Sequence, residues 1–342
     1  MATKKKFKLG LIGTDSLRGR EIKNTLGQKK IGSFDLEFYD PEVQEEYSKL
    51  TEFKKEPKVI HGTGGDCLEG TDLVFLAADP ETNRTFGLRA LELGCLAIDL
   101  EGAFNEREDV PLLVAGVNDE DCDLARCRLI GNPHPVTIVL SHLFHRTLPA
   151  FGIARAAAFV LQPASAFDNP GIQELAAQSV SLLNGAPPKK KVVKEQMAFN
   201  ILSHTETLAA DGSCPSERKI VAEIRRVLKR PDFPLSLSII QAPVFHTCAM
   251  MVLLELERNA SMPAFEKIFR EAPPFKLTDF RESCSASSIT VSGKDEIYVG
   301  RIKKEESGPR AFWVWLIADN ATRGSAVNAV EIAKKVLKAR PA

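Results

Sequence analysis

Three short stretches hold the residues whose types and spacing could do chemistry. The first is "GTDSLRG", Gly13 to Gly19. A glycine-rich turn of this kind lets backbone approach a pyrophosphate and aims a helix N-terminus at it. Gly13 and Gly19 suit that task. Asp40, at the end of the next predicted strand, could accept from a ribose 2′-OH, so NAD is expected over NADP if either binds. Asp15 sets a negative charge where phosphate would sit, and Arg18 could offset it. The second stretch is "GNPHPVTIVLSH", residues 131 to 142, a loop running into a helix start. Helix N-termini stabilise thiolates through the helix dipole and unpaired N–H groups, yet no cysteine stands between 131 and 145. Pro135 is there instead, and proline suits the first helical position because its φ is preset and its missing N–H would have no intrahelical partner. The third stretch is "QAPVFHTC". His246 and Cys248 are two residues apart and would share a face of a regular strand. His142 and His145 share a helix face by their i,i+3 spacing. No cysteine or carboxylate stands near them at ligand spacing, so no metal is expected.

The elements that must position these groups follow from periodicity. "FKLGLIG" reads as a buried strand and "GREIKNTLGQ" as a helix after a tight turn; "DLEFYD", "DLVFLAA" and "CLAID" repeat the strand type, with a helix over "NRTFGLRALELG". Alternating strands and helices predict a parallel, doubly wound sheet. Beyond about residue 132 strand-like runs dominate ("RAAAFVLQPAS", "LSLSIIQAPVF", "MMVLLELE", "EIYVGRI"), and a second, mixed α+β domain is expected. The final strand and amphipathic helix, "FWVWLIADNATRGSAVNAVEIAKKVLKA", are expected to return to the first domain.

The 342 residues suffice for about two domains with full cores. Basic and acidic residues balance at 45 each, so no net field draws the chain to nucleic acid or to an anionic membrane. The basic run "PPKKKVVK", 187 to 194, lacks interleaved aromatics and reads as a solvated connector. Seven cysteines, widely spread and without a CxxC pair, predict reduced thiols. No apolar run reaches membrane-spanning length. A cytoplasmic protein is expected.

The order of "QMAFNILSH", "SERKIVAEIRRVL", "QAPVF", "DEIYVGRI" and "ADNATRGSAVNAVEIA" resembles the aspartate-β-semialdehyde dehydrogenases from end to end. The resemblance is greatest to their catalytically degenerate relatives. It implies an α/β fold: a Rossmann-type doubly wound parallel sheet domain over 1–131 plus 313–342, and an α+β dimerisation domain with a mixed, largely antiparallel sheet over 132–312. It also implies a homodimer. Active members of the family reduce aspartyl-β-phosphate with NADPH through a thioacyl cysteine, a histidine acid/base and substrate-binding arginines.

By that resemblance Asn132 is retained, but the nucleophile's position falls on Pro135 and the histidine's on Cys248. The arginine positions fall on Gln241 and Asn105. On the cofactor side, the middle glycine falls on Ser16, a phosphate-approach glycine near Asp79, a glutamine on Glu331, and the NADP-reading segment on "YDPEVQEEY". Carboxylates would oppose the NADP phosphates. Gln162, Lys219, Pro243, Asn320, Gly324 and Asn328 remain family-like. Cofactor contacts are therefore expected, if anywhere, at Gly13, Ser16, Gly19, Asp40, Asn320 and Gly324. The leading expectation is a dimeric binding or scaffold protein, with a small metabolite or another protein as partner. The alternative is an NAD(P)-dependent oxidoreductase using His134, Gln162, Lys219 and Cys248.

Overall fold

The computed structural model describes residues 6–43, 49–64, 67–270, 272–279, 281, 283–306 and 308–339. The chain forms two compact units, Met1–His134 with Ser325–Ala342, and Pro135–Gly324.

The first unit is built on β1 (Phe7–Ile12), α1 (Leu17–Gln28), β2 (Phe34–Tyr39), β3 (Lys49–Phe53), β4 (Glu56–His61), β5 (Leu73–Leu76), α2 (Pro80–Glu92), β6 (Leu96–Asp99) and β7 (Leu129–Gly131). Its sheet runs β3-β4-β2-β1-β5-β6-β7. Every pairing is parallel except β3 with β4. β5 (LVFL) and β6 (LAID) are buried at every residue and apolar except for Asp99, as a sheet covered on both faces requires. Strand order reverses between β1 and β5, the switch point outside whose carboxyl ends open α/β sheets bind ligands. The C-terminal helix, Val327–Ala339, buries Ala329, Val330, Ala333 and Val336 in the same core as Ile22 and Leu26 of α1. The β3–β4 hairpin carries no turn signal in the sequence. Its turn uses Lys54 and Lys55 at φ 52° and 66°, positions where Asn-Gly is the usual signal.

The second unit contains α3 (Pro135–Phe151), β8 (Arg155–Gln162), α4 (Asp168–Leu183), α5 (Pro215–Val227), β9 (Leu235–Gln241), β10 (Cys248–Glu255), α6 (Met262–Arg270), β11 (Phe275–Leu277), α7 (Ser288–Val291), β12 (Ile297–Lys304) and β13 (Ala311–Ala318). The sheet order is β11-β12-β13-β10-β8-β9, parallel at its two outer pairs and antiparallel within. Residues from α3, α5 and α6, among them Leu143, Ile224 and Phe265, form one core with the inward side chains of this sheet. Expectation and structure differ at β13. The strand expected from 313 onward in the first domain lies inside the second sheet, paired with both β10 and β12. Only the helix after it returns to the first unit, because an interior strand fills both of its ladders while a helix is free to pack elsewhere.

The basic run 187–194 is a connector docked on α4. Backbone N–H groups of Lys191, Val192 and Val193 donate to the buried Glu174 carboxylate at 2.6, 2.6 and 3.2 Å. Among the described residues no helix is long and apolar enough to cross a membrane.

Candidate functional site

In the second unit α3 opens on Pro135, the residue that the resemblance implies for the family's nucleophile position. Pro135 occupies the first helical residue and is buried. Its ring packs on the π-helical turn Thr322–Ala326, so tightly that a Cβ at Gly324 would come 2.8 Å from the Cβ of Pro135. Gly324 is thus explained by this approach, whatever it does for a cofactor. The turn is pinned by Asp319, whose carboxylate accepts from the backbone N–H of Ala321, Thr322 and Gly293 at 2.9 Å each.

Beneath α3, the hydroxyl of Thr137 donates to Glu223 of α5 at 2.7 Å, and both residues are buried. A carboxylate beside the first turn of a helix complements its dipole. Sequence periodicity alone does not single out either residue. The one signal was an acid on the apolar stripe Ile220, Ile224 and Val227.

The parallel pair β8 and β9 ends on Gln162 and Gln241 in register. The Gln162 amide donates to the Gln241 carbonyl at 3.2 Å, and the Gln241 amide donates to the Ala242 carbonyl at 3.1 Å. Gln241 is 1% exposed. The two side chains thus form an uncharged hydrogen-bonded amide chain at the ends of these strands.

Cys248 starts β10 and is 4% exposed, inside the second-unit core. Burial pushes its thiol up to about 12, since no water stabilises the thiolate. His246 is not its neighbour by strand alternation. Thr247 between them has φ 73°, left-handed backbone that a β-branched residue seldom adopts. Asn320 holds this turn: its carbonyl accepts from the Ser165 hydroxyl at 3.0 Å and the Thr247 N–H at 3.2 Å. Lys219 lies half-buried on α5. His142 is buried with its Nε2 3.3 Å from the Arg323 guanidinium, and burial, then Arg323, His145 and Arg146, hold its pKa well below the usual range. A neighbouring guanidinium opposes a metal ion there. Among the described residues no three His, Cys, Asp or Glu side chains are grouped to hold one.

In the first unit the glycine turn is closed on itself. Gly13 has φ 82°, and a Cβ there would lie 2.4 Å from the backbone N of Ala78; a Cβ at Gly19 would lie 2.0 Å from the carbonyl of Gly13. Ser16 caps α1, accepting from Gly19 N–H and donating to the Gly13 carbonyl, both at 2.9 Å. Asp15 pairs with Lys49, and Arg18 with Glu101. Asp40 is 5% exposed; its two carboxylate oxygens accept from the backbone N–H of Asp15 at 3.3 Å and Glu42 at 3.1 Å. Asp79 caps α2, accepting from the N–H of Glu81 and Thr82, and the Thr82 hydroxyl holds its carboxyl below the usual range. A resident carboxylate therefore occupies a helix N-terminus where a phosphate would need the donors. These residues do not fit a dinucleotide's phosphates: Arg18 is already paired with Glu101, and the starts of α1 and α2 are already capped by Ser16 and Asp79. The segment "YDPEVQEEY" lies partly outside the described residues.

Asn132 and Asn328 are structural partners in this unit. The Asn328 amide donates to Asn132 at 2.8 Å and to the Leu113 carbonyl at 2.9 Å, and its carbonyl accepts from Ala115 N–H. Asn105 is buried against Gly131. Glu331 lies 3.9 Å from Lys29. His134 is the last residue before α3 and is half-buried.

A doubly wound parallel unit joined to a mixed-sheet unit, with a loop-to-helix site opening the second, defines a two-domain α/β protein of dehydrogenase architecture. The family model for the semialdehyde dehydrogenase dimerisation domain matches residues 148–323. The aspartate-semialdehyde dehydrogenase of Shewanella violacea is 30% identical over 265 residues, 77% of this chain and 78% of its own. A USG-1 protein homolog of Azotobacter vinelandii is 29% identical over 268 residues, 78% of this chain and 79% of its own. Among solved structures, a probable aspartate-semialdehyde dehydrogenase from Pseudomonas aeruginosa superposes with TM-score 0.90 at 25% identity, over 98% of this chain and 99% of its own. The chain belongs to the aspartate-semialdehyde dehydrogenase family.

Proposed function

We propose that this family member has lost the phosphorylating reduction of aspartyl-β-phosphate and acts as a non-catalytic dimeric binding or scaffold protein. The observation that carries the proposal is Pro135 at the first residue of α3, packed on Gly324. An imino acid there offers no nucleophile, so no thioacyl intermediate forms from that position. The surroundings point the same way. Cys248 is a buried thiol pushed up to about 12, and Gln241 carries no charge to bind a carboxylate or phosphate. An active oxidoreductase with exchanged roles needs an activated Cys248, and its burial opposes that.

The homodimer rests on the open face of the second sheet. Phe159, Met251 and Trp315 stand in one cross-strand row, with Ala157, Leu253 and Trp313 in another, all only half-buried or exposed. A second copy of the chain is the occupant this face takes. The deciding test is turnover: purified protein is assayed for oxidation of aspartate semialdehyde with NADP or NAD and phosphate. No turnover is expected. Turnover abolished by Cys248→Ser would overturn the proposal.

A further inference from the structure

Cys122 and Cys127 belong to a single turn of the first unit. Their sulfurs are 2.8 Å apart, one thiol donating to the other, and both residues are half-buried. The fold makes this contact: the N–H groups of Arg126 and Cys127 both donate to the carbonyl of Asp123, a single turn that folds the spacing back on itself. Leu124 and both cysteines pack on the core of the first unit, which holds the turn in place. Beside the pair opens a cavity of about 500 Å³, whose lining includes both cysteines with Arg107, Arg126, Asp109 and Asp123.

We propose that Cys122 and Cys127 form a reversible dithiol–disulfide site for low-molecular-weight disulfides that carry carboxylate and ammonium groups. The cavity offers both signs of charge to such a zwitterion, through the Arg107–Asp109 and Arg126–Asp123 pairs. The thiolate of one cysteine attacks the small disulfide; its S–S bond breaks, one small thiol leaves, and a mixed disulfide forms on the protein. The second cysteine's thiolate then attacks the protein sulfur of that mixed disulfide and expels the second small thiol. The protein loses two hydrogens and two electrons, and the small disulfide gains them. Ring closure moves the sulfurs from 2.8 Å to about 2.05 Å, and the second step is intramolecular, so it outruns attack by an external thiol.

The digestion pattern of the chain provides the test. Trypsin cuts after Arg107, Arg126 and Arg128, so a reduced chain releases 108–126 apart from the dipeptide Cys127-Arg128, whereas a bridged chain holds them together. The folded full-length protein is equilibrated in glutathione and glutathione disulfide, made oxidising enough to place glutathione on the exposed Cys284, then quenched, alkylated and mapped. The joined peptide is expected to exceed separate glutathione adducts on these two cysteines at least about tenfold. In Cys122→Ser and Cys127→Ser the remaining cysteine should retain one glutathione instead. Recovery of both wild-type thiols as alkylated cysteines, as separate adducts, or bridged to another cysteine would overturn the proposal.

Discussion

At Pro135 the ring and Gly324 share one contact, so each restricts the other. Gly324→Ala should lower stability by about 1–3 kcal/mol, the cost of overpacking a closed contact. Combining it with Pro135→Gly should recover part of that loss on thermal unfolding, because the opposing Cβ is removed; an additive loss would show that the contact is not where the strain lies. Pro135→Cys alone should give no turnover, since the buried Gln241 supplies no cation and the buried Cys248 no imidazole. Cys248 makes a separate prediction at this scale. With its thiol pushed up to about 12, it should react with iodoacetamide near neutral pH on the order of 10³-fold more slowly than an unperturbed thiol. Rapid labelling at Cys248, located by peptide mapping, would revive the oxidoreductase reading.

The docked basic connector shows how one side chain organises an element. Glu174 takes three backbone N–H groups from 191–193, a set of charge-assisted bonds that water would otherwise make. Glu174→Ala strands those donors and should cost about 2–3 kcal/mol. Tryptic cleavage after Lys189, Lys190 and Lys191 should accelerate in the variant while the rest of the digest keeps its pattern. Unchanged cleavage would mean that Val193, buried at 4% exposure, anchors the segment by itself. The strand ends follow the same logic: Gln162 and Gln241 meet because β8 and β9 run parallel in register.

For the whole molecule, acid is the informative perturbation. His142 is neutral in the fold because burial and Arg323 disfavour its charge. Below the unfolded value of about 6.5 the unfolded chain binds a proton that the folded chain refuses, so stability falls with pH by up to about 1.4 kcal/mol per unit. His142→Gln, although less stable outright, should show a flatter decline of Tm between about pH 6.5 and 5. Assembly is tested on the open sheet face. Phe159→Glu, at a side chain 46% exposed, should shift the protein from dimer to monomer by sedimentation; a dimer that survives both this change and Met251→Glu would place the interface elsewhere.

The sequence by itself determined the two-domain plan, the parallel sheet and the absence of any cysteine between residues 131 and 145. These depend on local periodicity and on residue identity, which a chain carries without folding. It was silent on the β3–β4 hairpin, because Lys54 and Lys55 adopt left-handed backbone without a glycine or asparagine to announce it. Only tertiary structure decided that Gly13 and Gly19 serve their own turn, that Asp40 and Asp79 are spent on backbone N–H groups, and that β13 belongs to the second sheet. It also brought Cys122 onto Cys127 and Thr137 onto Glu223. The physical reason is common to all of these: which partner satisfies a polar group depends on distances across the fold, and residue spacing along the chain does not carry them.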